Sequence, residues 1–588
     1  MTRWFLVLAA VAAAAAPAAE RRWTFTVDNG KPAGYTSIEC DANERCRSEL
    51  FFKDNGRGPE IREQYRLAAD GTFREYTAQG TTTYGSRVDE RFRVSGTQAT
   101  WRSTTEKGSV PNATGKLYLP LNISVAAYEQ LLRLTTDGRS LRLLPAGTVT
   151  LRRLKTLSVG QGDTAREIDL IAISGLGLTP DFVWATRDPA PEFFALIEPG
   201  YLAQLPKGYE AEESRLANAQ AEAETELLAT MTARLSTPMT GLSVIRNARL
   251  FDAERAAMRA GRHDVYILRG RIVSIQPTGE GMHGLPVARS LDAEGRVLLP
   301  GLFDMHAHVG RWEGGLNLAA GVTTVRDMGN DNSMLQRVID ETAEGKVFGP
   351  QIVPTGFLEG ESPYSARSGF VISTLDEAKA AVDWYAAHGY PQIKIYNSFP
   401  RMHLPETVAY AHSRGLKVSG HVPAFMRASQ VVEAGFDELN HINQVVLNFL
   451  MDDKTDTRTL QRFYLPAAKT VDIDFKGDEV SRFVQLLRER NVVIDPTLTT
   501  FDFLRQRDGE VSPAFAAVLD HMPANVQRSR LSGGMDIPNE RVHALYNRSY
   551  ARMIDFVGQM HRAGVPLLAG TDEMAGFTLQ RELELYVQ

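Results

Sequence analysis

Eight short apolar runs separated by helical patterns fill the second half of this 588-residue chain, and that alternation constrains the fold more than any other feature. The runs fall at 302–308, 322–327, 351–356, 392–396, 417–421, 438–441, 492–496 and 565–570. Strands that alternate with helices lie parallel, because each return to the start of the next strand needs a long crossover. One repeat is especially clear: an amphipathic stretch from Leu404 to Arg414 stops at Gly415, just before the run beginning at Lys417. Eight such repeats predict an α/β fold, a TIM-type (β/α)8 barrel, in which the carboxyl ends of all strands open onto one mouth.

The first run, Val297-Leu298-Leu299-Pro300-Gly301-Leu302-Phe303-Asp304-Met305-His306-Ala307-His308, closes on two imidazoles one residue apart. Alternate side chains on a strand share a face, so His306 and His308 project together, which suits a metal. By itself His-x-His is more often a satisfied polar edge. Later runs, however, place Lys394 on the fourth strand, His421 at the end of the fifth, His441 at the end of the sixth and Asp572 after the eighth. A barrel brings these groups to one mouth, and imidazoles with carboxylates suit zinc-like divalent ions. Tyr396 lies two residues beyond Lys394 on the same face, placed to hydrogen-bond a substrate, and Arg326 and Arg367 are further candidates for binding a carboxylate.

Pro300-Gly301-Leu302-Phe303-Asp304-Met305-His306-Ala307-His308 resembles the first barrel strand of the amidohydrolase superfamily. Gly321-Val322-Thr323-Thr324-Val325-Arg326-Asp327, Ile393-Lys394-Ile395, Gly420-His421-Val422, Glu438-Leu439-Asn440-His441 and Gly570-Thr571-Asp572 match in the same order, so the resemblance covers residues 241–588. It points to the binuclear-metal branch, similar to imidazolonepropionase-like and metal-dependent prolidase-like hydrolases. The resemblance implies one divalent metal, zinc by expectation, held by His306, His308 and Asp572. A second would be held by His421 and His441, and Lys394 would be carbamylated and bridge the two. It implies hydrolysis of carbon–nitrogen bonds by a metal-bridging hydroxide, with Asp572 accepting its proton and passing it to the leaving amine. The same chemistry serves a lactonase or phosphotriesterase. A non-catalytic periplasmic binding protein on a relic barrel is the rival from another class, and an idle site has no physical reason to keep all these ligands.

The segment before the barrel is different in kind. Short runs of period-two alternation broken by turns, such as 64–67 and 72–76 about Asp70-Gly71, predict an antiparallel β-rich domain over residues 20–209. Strong helix formers at 210–235 predict a connecting helix, and residues 236–297 carry the strands of a small β-sandwich ahead of the barrel at 298–588. The chain stops inside what would be the eighth barrel helix, so the barrel is expected to be incomplete at its carboxyl end. Connections at 442–471 and 497–550 exceed ordinary loop length, and at least one is expected to lid the mouth.

Residues 1–19 read as a secretory signal, a basic start, a short apolar run and small residues at the exit. Cys40 and Cys46 are the chain's two cysteines, and so close a pair in an exported protein predicts a disulfide. Both features predict a periplasmic or secreted protein. With 65 Lys+Arg against 71 Asp+Glu, nothing points to nucleic acid, and no run is long enough for a transmembrane anchor. The expected partner is a small-molecule or peptide substrate, and a homo-oligomer stays open.

Overall fold

The computed structural model describes residues 20–27, 30–135, 138–281, 284–366, 368–452, 454–573 and 575–588, so the expected leader and Arg367 lie outside the described residues. The chain is a mixed α/β protein with a large β-rich amino-terminal sheet.

That sheet has fifteen strands between Arg21 and Pro206, antiparallel throughout except where Leu117–Tyr118 runs parallel to Ser140–Leu144. The first strand, Arg21–Val27, pairs with the last, Leu202–Pro206, so the two ends of the segment meet in mid-sheet. Period-two patterning is visible in Glu60–Leu67, where Ile61, Glu63 and Tyr65 point into the core and their neighbours into solvent. The buried face packs on the helix Val125–Leu134. Cys40 and Cys46 stand directly opposite one another in a hairpin and are disulfide-bonded.

The helix Glu213–Leu235 does more than connect. Leu216, Ala219 and Ala223 pack under Trp184 and Phe194 of the sheet, while its other side meets the α/β half. There Trp312 Nε1 donates to Glu224 Oε2 at 3.0 Å, and Arg311 Nη2 donates to the Ala221 carbonyl at 3.1 Å. A small mixed sheet built around Ser243–Asp252 follows it.

In the carboxyl-terminal half, parallel strands form three ladders. Leu302–Ala307, Val322–Asp327 and Gln351–Pro354 make the first; Phe370–Ile372, Gly356–Gly360, Gln392–Ile395 and Lys417–Gly420 the second; Glu438–Asn440 and Val493–Asp495 the third. Backbone hydrogen bonds bridge the gaps: Asp437 N to Val418 O at 2.9 Å, and Met305 N to Ala569 O at 2.9 Å with Asp572 N to His306 O at 2.8 Å. Two expectations change here. The third run divides at Thr355, its first part pairing with Val322–Asp327 and its second with Gln392–Ile395. The eighth, 565–570, is a single bridge at Leu567, since Pro566 has no N–H to give a ladder. Helices pack around these strands over the largest apolar core of the molecule. Among the described residues no helix is long and apolar enough to cross a membrane.

Candidate metal centre

At the strand ends four imidazoles, a lysine and an aspartate face one another. Each ring is held from behind through Nδ1. His306 Nδ1 lies 2.7 Å from Asp495 Oδ2, and His308 Nδ1 donates to the Gly329 carbonyl at 2.7 Å. His421 Nδ1 is 2.9 Å from Asn397 Oδ1, and His441 Nδ1 is 2.8 Å from Thr497 Oγ1. An oxygen on Nδ1 sets the ring's direction and leaves Nε2 for the centre, the usual support of a metal-binding histidine.

The Nε2 atoms meet around Asp572. Its carboxylate stands 3.4 Å from His308 Nε2, 3.9 Å from His306 Nε2 and 3.9 Å from His441 Nε2. His306, His441 and Asp572 bring ligand atoms within 4.8 Å of one another. His421 Nε2 is buried without a hydrogen-bond partner among the described residues, which is costly unless something else binds it. Both His441 and Asp572 sit in the left-handed backbone region, at φ 69° and 51°, a strain that non-glycine residues bear where the surrounding structure forces it. Gly570 is required beside them, because a Cβ there would fall 2.5 Å from the His306 Cβ.

Burial, reinforced by neighbouring cations, holds His306 and His421 well below the ordinary imidazole range and pushes His441 down to about 3. These rings are therefore neutral, as metal ligands must be. Desolvation would raise the Asp572 carboxyl, but the His308 hydrogen bond and the Lys394 charge outweigh it, so it stays ionised. Lys394 is buried with Nζ 3.1 Å from His306 Nε2, and burial pushes its ammonium down to about 8 despite Asp572 and Asp495. Against desolvation, Asp572 raises the fourth ring, His308; three neutral imidazoles, an orphaned buried nitrogen and an ionised carboxylate fit divalent metal ions.

Asp495, at the end of the strand Val493–Asp495, was not among the residues expected from sequence, yet it anchors His306. Its signal is faint: an acid at a strand end, before Pro496. Arg326 departs from expectation too. Its guanidinium is buried below the mouth in a two-pronged pair with Glu438 at 2.6 and 2.7 Å, and its Nε donates to the Met305 carbonyl at 2.7 Å. With those donors engaged it braces the strands instead of facing the cavity.

Above these groups lies a cavity of about 200 Å³, lined by His308, Lys394, Tyr396, His421, His441 and Asp572 and roofed by Arg57, Tyr84, Arg462, Phe463, Phe501 and Phe503. Tyr396 is therefore at the mouth, where its hydroxyl accepts from Asn55 Nδ2 at 3.3 Å. The two long connections supply much of the roof and are largely helical and turn structure, including Ile442–Leu450 and Gln461–Lys469. A larger hollow of about 630 Å³ over the Cys40–Cys46 hairpin holds no imidazole and lies apart from this chemistry.

No family model and no curated protein matches the chain. Solved structures do. Bottromycin amidohydrolase is 20% identical with a TM-score of 0.44, covering 62% of this chain and 76% of that one. A Xaa-Pro dipeptidase with methionine in its active site is 18% identical with a TM-score of 0.40, covering 59% and 84%. Ochratoxinase from A. niger is 15% identical with a TM-score of 0.39, covering 60% and 80%. These neighbours are amidohydrolases.

Proposed function

We propose that this chain is a metal-dependent hydrolase of carbon–nitrogen bonds, amide or peptide-like, and that its eight parallel segments close as a TIM-type (β/α)8 barrel. One observation carries the reading: four imidazoles are each tied through Nδ1 to an oxygen behind, three of them line one cavity with an ionised carboxylate and a buried lysine, and the fourth, His306, lies against that carboxylate and lysine. His306, His308 and Asp572 would hold one divalent ion, His421 and His441 a second, with Lys394 as a carbamate between them. Such ions supply Lewis acidity and a nucleophile from water at neutral pH.

The chain's own residues do the rest. Asp572, ionised and beside three Nε2 atoms, is placed to take a proton from the attacking water on a carboxylate oxygen and return it to the departing nitrogen, which as an amide anion would be a very poor leaving group. Tyr396 offers a phenol at the rim for a substrate carbonyl or carboxylate. Asp495 and Thr497 keep His306 and His441 aimed. Export fits the leader-like residues 1–19 and the Cys40–Cys46 disulfide.

The test is a panel of dipeptides, acyl-amino acids, a lactone and a phosphotriester offered to the purified chain, with elemental analysis alongside. Hydrolysis of amides that chelation abolishes and zinc restores, at about two metals per chain, is the expected outcome. Amide hydrolysis indifferent to chelation, or turnover confined to the lactone or phosphotriester, would overturn the reading.

A further inference from the structure

The roof of the cavity is built partly by the amino-terminal sheet, which sequence patterning sets apart as a domain of its own. Arg57 lies in the turn between Arg45–Phe52 and Glu60–Leu67, and Tyr84 in the turn between Phe73–Thr81 and Arg87–Ser95. Both turns are locked onto the α/β half. Asn55 donates to the Tyr396 hydroxyl, and Tyr464 OH donates to the Tyr84 carbonyl at 2.9 Å. Gly85 bridges Met535. Gly56, at φ 71°, presses so close that a Cβ would fall 2.7 Å from the Tyr364 ring and 2.8 Å from the Arg458 carbonyl.

Two guanidiniums meet in this roof. Arg57 lies over the Tyr84 ring at 5.3 Å and the Phe463 ring at 5.7 Å, and Arg462 lies over the same Phe463 ring at 4.8 Å. Arg462 is 3% exposed, its Nη1 has no hydrogen-bond partner, and it forms no ion pair among the described residues. Burying an unpaired guanidinium beside a second one is unfavourable, and burial together with Arg57 pulls Arg462 below its ordinary value. Nearby acids do not relieve it: Asp456 is paired with Arg458 at 2.8 Å, and burial pushes the Glu359 carboxyl up to about 8, which leaves it protonated. The charges of Asp54 and Asp572 reach Arg57, but Arg462 has no carboxylate paired with it among the described residues, and a buried cation left so is arranged for an anion that arrives with a ligand.

We infer that the amino-terminal sheet is part of the substrate pocket, and that Arg57 with Arg462 holds a carboxylate of the substrate while Tyr84, Phe463 and Phe503 wall its apolar portion. The inference rests on the hydrolase reading for the word substrate, and on the cavity's own charges for the carboxylate. It makes Arg57 a specificity residue supplied from outside the parallel half.

The experiment compares N-acetyl-L-phenylalanine with its carboxamide, a near-isostere in which a neutral NH2 donor replaces one carboxylate oxygen. Calorimetry on the full chain after chelation, where no metal competes for the carboxylate, should show the acid bound about 10- to 100-fold tighter than the amide. Arg57→Met should erase most of that preference by weakening the acid and not the amide, and Arg57→Lys should restore part of it. Arg462→Met should act in the same direction; if it does not fold, Arg57→Met, on the less buried turn, decides alone. In metal-loaded protein the same loss should appear in the ratio of kcat/KM for the two compounds. A parent without preference, or an Arg57→Met protein that keeps it or weakens both compounds alike, would overturn the inference. Failure of the parent to hydrolyse anything counts against the hydrolase reading only, because the binding arms need no turnover.

Discussion

The amino-terminal sheet and the parallel half both bury charged groups, but they treat them differently. Three acids of the sheet accept hydrogen bonds from tyrosines of the amino-terminal half. Tyr76 donates to Glu63 at 2.6 Å, Tyr118 to Glu90 at 2.6 Å, and Tyr128 to Asp181 at 3.0 Å. In the parallel half the Arg326–Glu438 pair below the mouth follows the same rule, but at the mouth itself it fails: among the described residues His421 Nε2 and Arg462 Nη1 are buried and unanswered. A buried polar group met by its own chain contributes to the fold. One left open toward a cavity is kept for something that binds, since the folded state bears its desolvation cost without return.

That contrast can be broken by substitution, because mouth variants should lose chemistry while keeping stability and sheet variants should do the reverse. The largest effect is expected at Asp572. Asp572→Asn keeps size and one oxygen ligand but removes the base, so amide turnover should fall by about two to four powers of ten with metal retained, and esters with good leaving groups should suffer less. Near-parent amide rates with metal bound would move the proton's carrier elsewhere. Next is Asp495→Asn, which weakens the support behind His306; metal affinity should drop about 10- to 100-fold in a competition titration, with little change in melting temperature.

The sheet variants sharpen the other side. Burial raises the Glu90 carboxyl to about 7 against the pull of Tyr118, Arg528 and the Leu121 N–H, with Glu63 and Tyr76 also facing it. Its folded pKa is above the ordinary 4.5, so its protonated form contributes stability that is whole below about 4.5 and lost as pH rises through about 7. Glu90→Gln cannot ionise, and its melting temperature relative to the parent should climb across that window by the equivalent of about 3 kcal/mol at most. A flat difference would show that Glu90 is ionised throughout. The smallest effect is Tyr118→Phe, which at pH 5 removes one neutral hydrogen bond and should cost about 0.5–1.5 kcal/mol in chemical denaturation while kcat stays at the parent value.

What the sequence determined by itself is whatever local periodicity encodes. Alternation of apolar runs with helical patterns marks the strands around Leu302–Ala307, Gln392–Ile395 and Lys417–Gly420, and a position counted along a parallel strand is also a distance from its mouth. Together with the motifs that resemble the amidohydrolase superfamily, this placement names His306, His308, Lys394, His421, His441 and Asp572 as one group, and these residues lie close together in the structure. Tertiary structure alone decided the rest. Asp495 supports His306 across 189 positions, and Arg326 meets Glu438 across 112, distances at which no period survives. The roof is the extreme case, since Asn55 reaches Tyr396 across 341 positions and brings Arg57 over a cavity built by the other half of the chain. Turn residues such as these carry no strand or helix period of their own. Their role comes from docking between two halves, and docking depends on the shapes of whole folded surfaces.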